Sequence, residues 1–176
     1  MDKEPRFLAE YADELDRLGA ERFRGAYPRP VLVGIGLLGA VQDREAGDLR
    51  STMQADQDGD LRKPTSIQFR VFPLAKSASG VRGVEVTLGR GPENDIIIAE
   101  YSLSAKHCGF TYDAQYCEVI DFESRNGSVL NGETLVAGER TRMKDKSTLV
   151  LGRLKFRFLF TDSLSKLVAS MPRMRR

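Results

Sequence analysis

Two hydrophobic periods divide this chain. Between Pro5 and Arg24 the apolar residues Phe7, Leu8, Tyr11, Leu15, Leu18 and Phe23 recur at three-to-four-residue spacing, with Glu10, Asp13, Glu14, Asp16 and Arg17 on the other face. That period predicts an amphipathic helix, opened by Pro5 in its first turn and closed by Gly25. From Ser66 the period drops to two: Ile67, Phe69 and Val71 alternate with Gln68 and Arg70. Short β-branched and aromatic runs then recur between turn-forming residues, at 84–88, 95–98, 108–112, 117–120, 128–130, 135–136, 148–151 and 155–160. Many short strands at such spacing predict a β-sandwich.

The stretch between the two textures is harder to assign. After Tyr27-Pro28-Arg29-Pro30 comes an apolar run from Val31 to Val41 containing Gly34-x-Gly36-x-x-Gly39. This spacing suits a turn that cradles a pyrophosphate, but the fingerprint also needs a second parallel strand and an acidic residue about 20 residues on. The sequence there, Ser51 to Asp60, is too polar for a buried parallel strand. The reading adopted is a second helix from Pro30 to about Ala46, its glycines allowing close packing on the first. The segment from Asp48 to Thr65, rich in Asp, Gln, Gly and Ser, reads as a flexible linker. At the far end, Asp162 or Ser163 can cap a short helix carrying Leu164, Leu167, Val168 and Met171 on one face, ahead of a basic tail. The expected organisation is a helical region over 1–47, a linker over 48–65, a sandwich over 66–161, and a helix with tail over 162–176.

Composition narrows the function classes. A net charge of +2 against 30% charged residues gives no global field for nucleic acid, so any basic surface must be local. The run from Val31 to Val41 is far below the ~20 apolar residues of a membrane span. Met1-Asp2-Lys3-Glu4 lacks the basic-then-apolar order of a signal peptide, so a cytoplasmic protein with no membrane partner is expected. Cys108 and Cys117 are the only two cysteines. With a turn near Asp113-Ala114, Cys117 falls opposite Thr111 and Cys108 opposite Ile120, so the sulfurs should not meet. One histidine and two cysteines that alternate into strands build neither a nucleophile–base pair nor a zinc site. No enzyme activity, metal or cofactor is expected.

The polar chemistry concentrates between Leu88 and Gly132. Gly89-Arg90, Ser104-Ala105-Lys106-His107 and Ser124-Arg125-Asn126-Gly127 alternate with apolar runs, which suits one binding edge assembled from several loops. A guanidinium fork and neutral donors on well-held loops are what a phosphate monoester, with about −1.5 to −2 charges and three acceptor oxygens, requires. Arg90 can supply the fork and Ser104 a hydroxyl. The competing readings are Arg90 paired with Glu93 or Glu100, Ser104 capping a turn, and Lys106 as a solvated loop lysine.

Taken in order, these clusters resemble the forkhead-associated (FHA) family of phosphothreonine-binding domains over about Ile67 to Phe160. The matches are Gly89-Arg90, Asn94-Asp95-Ile96, Ser104-x-x-His107, Asp121-x-x-Ser124-x-Asn126-Gly127, Asn131-Gly132, and Leu151-Gly152 before an aromatic last strand. The resemblance implies an all-β sandwich of two antiparallel sheets, here with an N-terminal helical hairpin and a short C-terminal helix. It implies a module that binds a phosphothreonine protein in signalling, with Arg90, Ser104, Arg125 and Asn126 at the peptide. Asn126 would hold the peptide backbone after the phosphorylated residue, and His107 would be a buried structural histidine. Gly89, Lys106, Gly127 and Asn131 would support these loops, Gly127 and Gly132 in backbone conformations closed to other residues. Two positions depart from the family pattern: Ala105 stands where a common phosphate contact is Arg or Asn, and Arg125 stands where Thr is common. The guanidinium of Arg125 can offset the donor lost at Ala105. The alternative function is a phosphate-independent scaffold. A third reading is self-recognition of phosphorylated Thr52 in the linker, Thr65 being too close to the sandwich to reach it.

Overall fold

Alternation along Leu154–Leu159 places Leu154, Phe156 and Phe158 in the core and leaves Lys155 and Arg157 outside. Cys117–Asp121 and Ser128–Leu130 alternate in the same way. The computed structural model describes residues 5–38, 67–77 and 83–171. Its elements in chain order are β1 (Arg6–Phe7), α1 (Leu8–Leu18), α2 (Ala20–Ala26), β2 (Val31–Leu37), β3 (Arg70–Pro73), β4 (Val86–Gly89), β5 (Ile96–Ile97), β6 (Cys108–Tyr112), β7 (Cys117–Asp121), β8 (Ser128–Leu130), β9 (Glu133–Thr134), β10 (Arg140–Met143), β11 (Thr148–Leu151), β12 (Leu154–Leu159) and α3 (Thr161–Ala169). One sheet runs β1-β3-β2-β12-β11-β8-β9 and the other β10-β7-β6-β4-β5. Pairing is antiparallel except between β4 and β5.

The largest departure from the sequence expectation is the stretch after Pro30. Val31–Leu37 is not part of a second helix but a strand between β3 and β12. Leu32 enters the core between the sheets, while Val31 and Val33 enter a second cluster on the outer face. A strand buried on both faces loses its alternation and cannot be told from a helix by period. Its glycines serve the strand. A Cβ on Gly34 would lie 2.0 Å from the Ile67 carbonyl oxygen, and Gly36 faces Lys155 at the register shift where β2 carries Ile35 as an extra residue between the partners of Lys155 and Phe156. The rest of the expected helix, the linker, Thr52, Thr65 and the tail from 172 lie outside the described residues.

A helical hairpin does precede the sandwich, but it comes from the first predicted helix alone. Gly19, at φ +74°, breaks Pro5–Arg24 into α1 and α2, and the residues just ahead of α1 pair with β3. Tyr11, Phe23 and Tyr27 stack with ring centroids 4.8–6.5 Å apart. With Leu8, Leu15, Leu164 and Val168 they seal the outer face formed by Val31, Val33, Val71 and Leu159. The expected side-chain cap of α3 is absent, since Phe160 precedes the helix without one. Asp145 holds that end instead, accepting from Phe160 N at 2.9 Å and Ser163 Oγ at 2.5 Å.

Smaller differences have plain causes. Leu135-Val136 is not a strand; β9 lies two residues earlier, and Val136 is 59% exposed. Strand β10, Arg-Thr-Arg-Met, buries only Met143 and carries no alternation to find. Cys117 faces Tyr112 and Cys108 faces Asp121, one residue from the expected register, and both thiols are free and buried. Among the described residues, no helix is long and apolar enough to cross a membrane.

Candidate functional site

The three polar loops meet on the backbone of Ser104. Its carbonyl accepts the Arg90 N–H at 3.0 Å, its hydroxyl accepts the Arg125 N–H at 2.9 Å, and its own N–H donates to Nδ1 of His107 at 3.2 Å. One half-buried residue thereby fixes the loop after β4, the loop before β6 and the loop after β7 relative to one another. Because the hydroxyl oxygen is accepting, its proton is left to donate outward.

His107 is buried and connects at both ring nitrogens. Acceptance at Nδ1 places the proton on Nε2, which lies 3.2 Å from the Gly127 carbonyl and donates to it. Its backbone N–H reaches Leu88 O and its carbonyl takes Phe122 N, both at 2.9 Å. Burial pushes the imidazole pKa below 6.5, only partly offset by the Asp121 carboxylate and the Gly127 carbonyl. The neutral tautomer is thus the one this site holds. Neither nitrogen is left for proton transfer.

Asp121, the first residue of the Asp121-x-x-Ser124-x-Asn126-Gly127 motif, organises the Asn126 loop. It accepts from Ser124 N at 2.7 Å, from Ser124 Oγ at 2.6 Å and from the Ser128 hydroxyl. Burial disfavours its charge, but these donors outweigh burial and hold its pKa below the usual value. Gly127 (φ +75°) and Gly132 (φ +90°) occupy left-handed conformations, and Asn131 joins them at +51°. Asn131 ties two turns by accepting from Thr148 N at 2.8 Å and donating to Ser147 Oγ at 3.2 Å. Gly89 permits a close approach, since a Cβ there would lie 2.2 Å from the Ala105 carbonyl oxygen.

The side chains expected at a ligand are differently placed. Arg90, Arg125 and Asn126 are exposed. Among the described residues, neither guanidinium makes a hydrogen bond or ion pair. The Glu100 suggested as a partner for Arg90 is taken by Arg153, whose Nε lies 2.8 Å from it. Asn126 spends one amide hydrogen on Ser102 O at 2.8 Å, which fixes the orientation of its amide. Lys106 is not a loose loop lysine; its ammonium sits 4.2 Å from the Phe122 ring centroid, a contact of the cation–π type. Ala105 contributes its carbonyl, which accepts Gly91 N at 2.9 Å.

Sequence reasoning missed a second tier of residues. Buried Glu100 accepts from Ser102 N at 2.8 Å and from the Ser102 hydroxyl as well as from Arg153. Arg153 also stacks on exposed Tyr101, 4.3 Å from its centroid. Ser102 then presents the carbonyl that holds Asn126. The signal for Glu100 is that it opens the Glu-Tyr-Ser loop just before Ser104, but its partner lies 53 positions away and no local pattern reveals it.

Residues 86–152 match the family model of the FHA domain. No curated protein sequence matches the chain. Among solved structures, it is similar to the FHA domain of an Arabidopsis thaliana hypothetical protein, with 18% identity over 84% of this chain and 91% of that one and a TM-score of 0.48. It is also similar to the FHA domain of CT664 from Chlamydia trachomatis, at 16% identity, 74% and 96% coverage and a TM-score of 0.46. A third is the N-terminal FHA domain of S. cerevisiae Rad53p in complex with a phosphothreonine peptide, at 18% identity, 55% and 89% coverage and a TM-score of 0.43.

Proposed function

We propose, for a chain that carries an FHA domain over residues 86–152, that the edge around Ser104 binds a phosphothreonine segment of a partner protein in phosphorylation-dependent signalling. The observation that carries this reading is the convergence on Ser104 of two guanidinium-bearing loops whose charges have no acidic partner among the described residues. Arg90 supplies a planar fork for two phosphate oxygens, and the Ser104 hydroxyl donates to a third. Arg125, anchored through its N–H, brings a second guanidinium to the side where Ala105 lacks a donor. Asn126, steadied by Ser102, offers Oδ1 to a peptide N–H.

The module works by binding and carries no catalytic step. The only histidine is committed at both nitrogens. Burial raises the Cys108 thiol pKa well above its usual value and pushes Cys117 to about 12, so neither forms a thiolate readily.

A phosphopeptide array probed with wild-type and Arg90→Ala protein tests the reading. Phosphothreonine spots should bind wild type and fade with the variant; equal capture by both proteins favours a phosphate-independent scaffold. Self-recognition of phosphorylated Thr52 has one supporting observation. Leu38, at the end of β2, donates its N–H to Arg153 O at 2.7 Å, and neighbouring Gly152 donates to Gly127 O at 3.2 Å. The chain therefore leaves β2 beside the Asn126 loop, and Thr52 lies about 14 residues further, a contour of up to about 50 Å. Kinase-treated wild type should compact in small-angle scattering, and Thr52→Ala should not; compaction of both rules Thr52 out.

A further inference from the structure

We infer that Asn94 is a positioning residue for Arg90, a clamp that holds the Arg90 turn in its binding geometry before any ligand arrives. This inference rests on the phosphate-binding reading of the edge. Asn94 is fully buried, with 0% of its surface exposed. Its Nδ2 donates to Gly91 O at 2.8 Å and to Ala105 O at 2.6 Å, so one amide spans the turn that carries Arg90 and the loop that carries Ser104. Two carbonyl partners fix which end of the amide is nitrogen, because the reverse orientation would face oxygen with oxygen.

The two carbonyls do not need this amide to be satisfied. Ala105 O already accepts Gly91 N at 2.9 Å, and Gly91 O already accepts the Asn94 N–H at 3.3 Å. What the side chain adds is geometry. Its cost is visible in the same residue, since Oδ1 is buried and has no hydrogen-bond partner among the described residues, an arrangement that disfavours the fold. A residue selected only to fill space there would leave no orphan acceptor. The neighbourhood is tight enough to transmit the constraint: a Cβ on Gly89 would lie 2.8 Å from Nδ2 and 2.2 Å from Ala105 O. Arg90 sits between Gly89 and Gly91 and is held by its own N–H to Ser104 O at 3.0 Å. With both neighbours pinned, the Cα–Cβ direction of Arg90 is set by the clamp, and ordering of that turn need not be supplied by the ligand.

Hydrogen exchange on Asn94→Ala decides the geometric claim without a ligand. The Arg90 and Gly91 amides should exchange at least tenfold faster, while those of Phe110 and Phe156 in the sheets keep their rates. Acceleration of all amides together, or of none, overturns it. Asn94→Ser, whose hydroxyl cannot span both carbonyls, supplies the same reading should the alanine variant fold poorly. A double-mutant cycle then tests the link to binding, with a phosphothreonine peptide pool as probe. Asn94→Ala should weaken binding about tenfold in wild type and less than threefold in an Arg90→Lys background, where the fork is already gone. Equal losses in both backgrounds overturn the role in positioning Arg90. Should wild type bind no phosphopeptide, the proposed function fails, while the exchange result still decides whether Asn94 orders the turn.

Discussion

The Ser104 edge and the helix-covered face of the seven-stranded sheet are built on opposite principles. At the edge, backbone groups and short polar side chains make the structure, and the side chains of Arg90 and Arg125 stand outside it. Under the helices, Tyr11, Phe23, Val31, Val71 and Leu164 are buried together, and structure comes from apolar area. The first region therefore leaves the Arg90 and Arg125 guanidiniums without an acidic partner among the described residues, and the second is filled by apolar side chains. Changes at the edge should move affinity with little effect on stability, and changes under the helices should do the reverse.

The sharpest way to break that comparison is Phe23→Ala. Removing a fully buried ring should destabilise by about 3–5 kcal/mol, read by chemical denaturation, while phosphopeptide affinity measured well below the new transition stays within twofold. A large loss of affinity in the folded variant would mean that the helices reach the edge. Next in size, Arg90→Ala should cost about 2–3 kcal/mol of binding, roughly 30- to 150-fold, with thermal stability within about 0.5 kcal/mol of wild type. Arg125→Ala should cost about 1 kcal/mol of binding, since in the proposed reading its guanidinium replaces only the donor missing at Ala105.

His107 lies between the two classes and gives a pH test. Its folded pKa is below 6.5, so above 6.5 both folded and unfolded chains hold it neutral and its contribution to stability is complete. As pH falls below 6.5 the unfolded chain takes the proton first, and stability declines until the folded imidazole is protonated too. Denaturation midpoints from pH 7.5 to 5 should therefore fall, and His107→Gln should flatten that part of the profile. The carboxylates of Asp95 and Asp121, held below their usual pKa, act lower. Their contribution is present above about pH 3.8 and lost as pH falls further.

What could be read from the sequence followed from locality. The strands Cys108–Tyr112, Ser128–Leu130 and Thr148–Leu151 have the expected bounds because each is a short β-branched or aromatic run set off by turn-forming residues. Val31–Leu37 hid because burial on two faces erases the period, and Arg140–Met143 hid because only Met143 is inside. The loop motifs could be read as clusters, since Arg90, Ser104, His107 and Asn126 are close in sequence to their turns. Their supports could not. Glu100 with Arg153 and Ser102 with Asn126 are pairings across the fold, and a linear pattern does not encode which carbonyl or carboxylate a donor will meet.

The most direct test of phosphate recognition at the Ser104 edge is calorimetric titration of wild-type and Arg90→Ala protein with one array-selected peptide in its phosphothreonine and unmodified threonine forms. Binding of the phosphorylated peptide to wild type alone, weakening as pH falls through the phosphate's second pKa near 6, is the predicted result. Comparable heats from both peptides, or from both proteins, would contradict it.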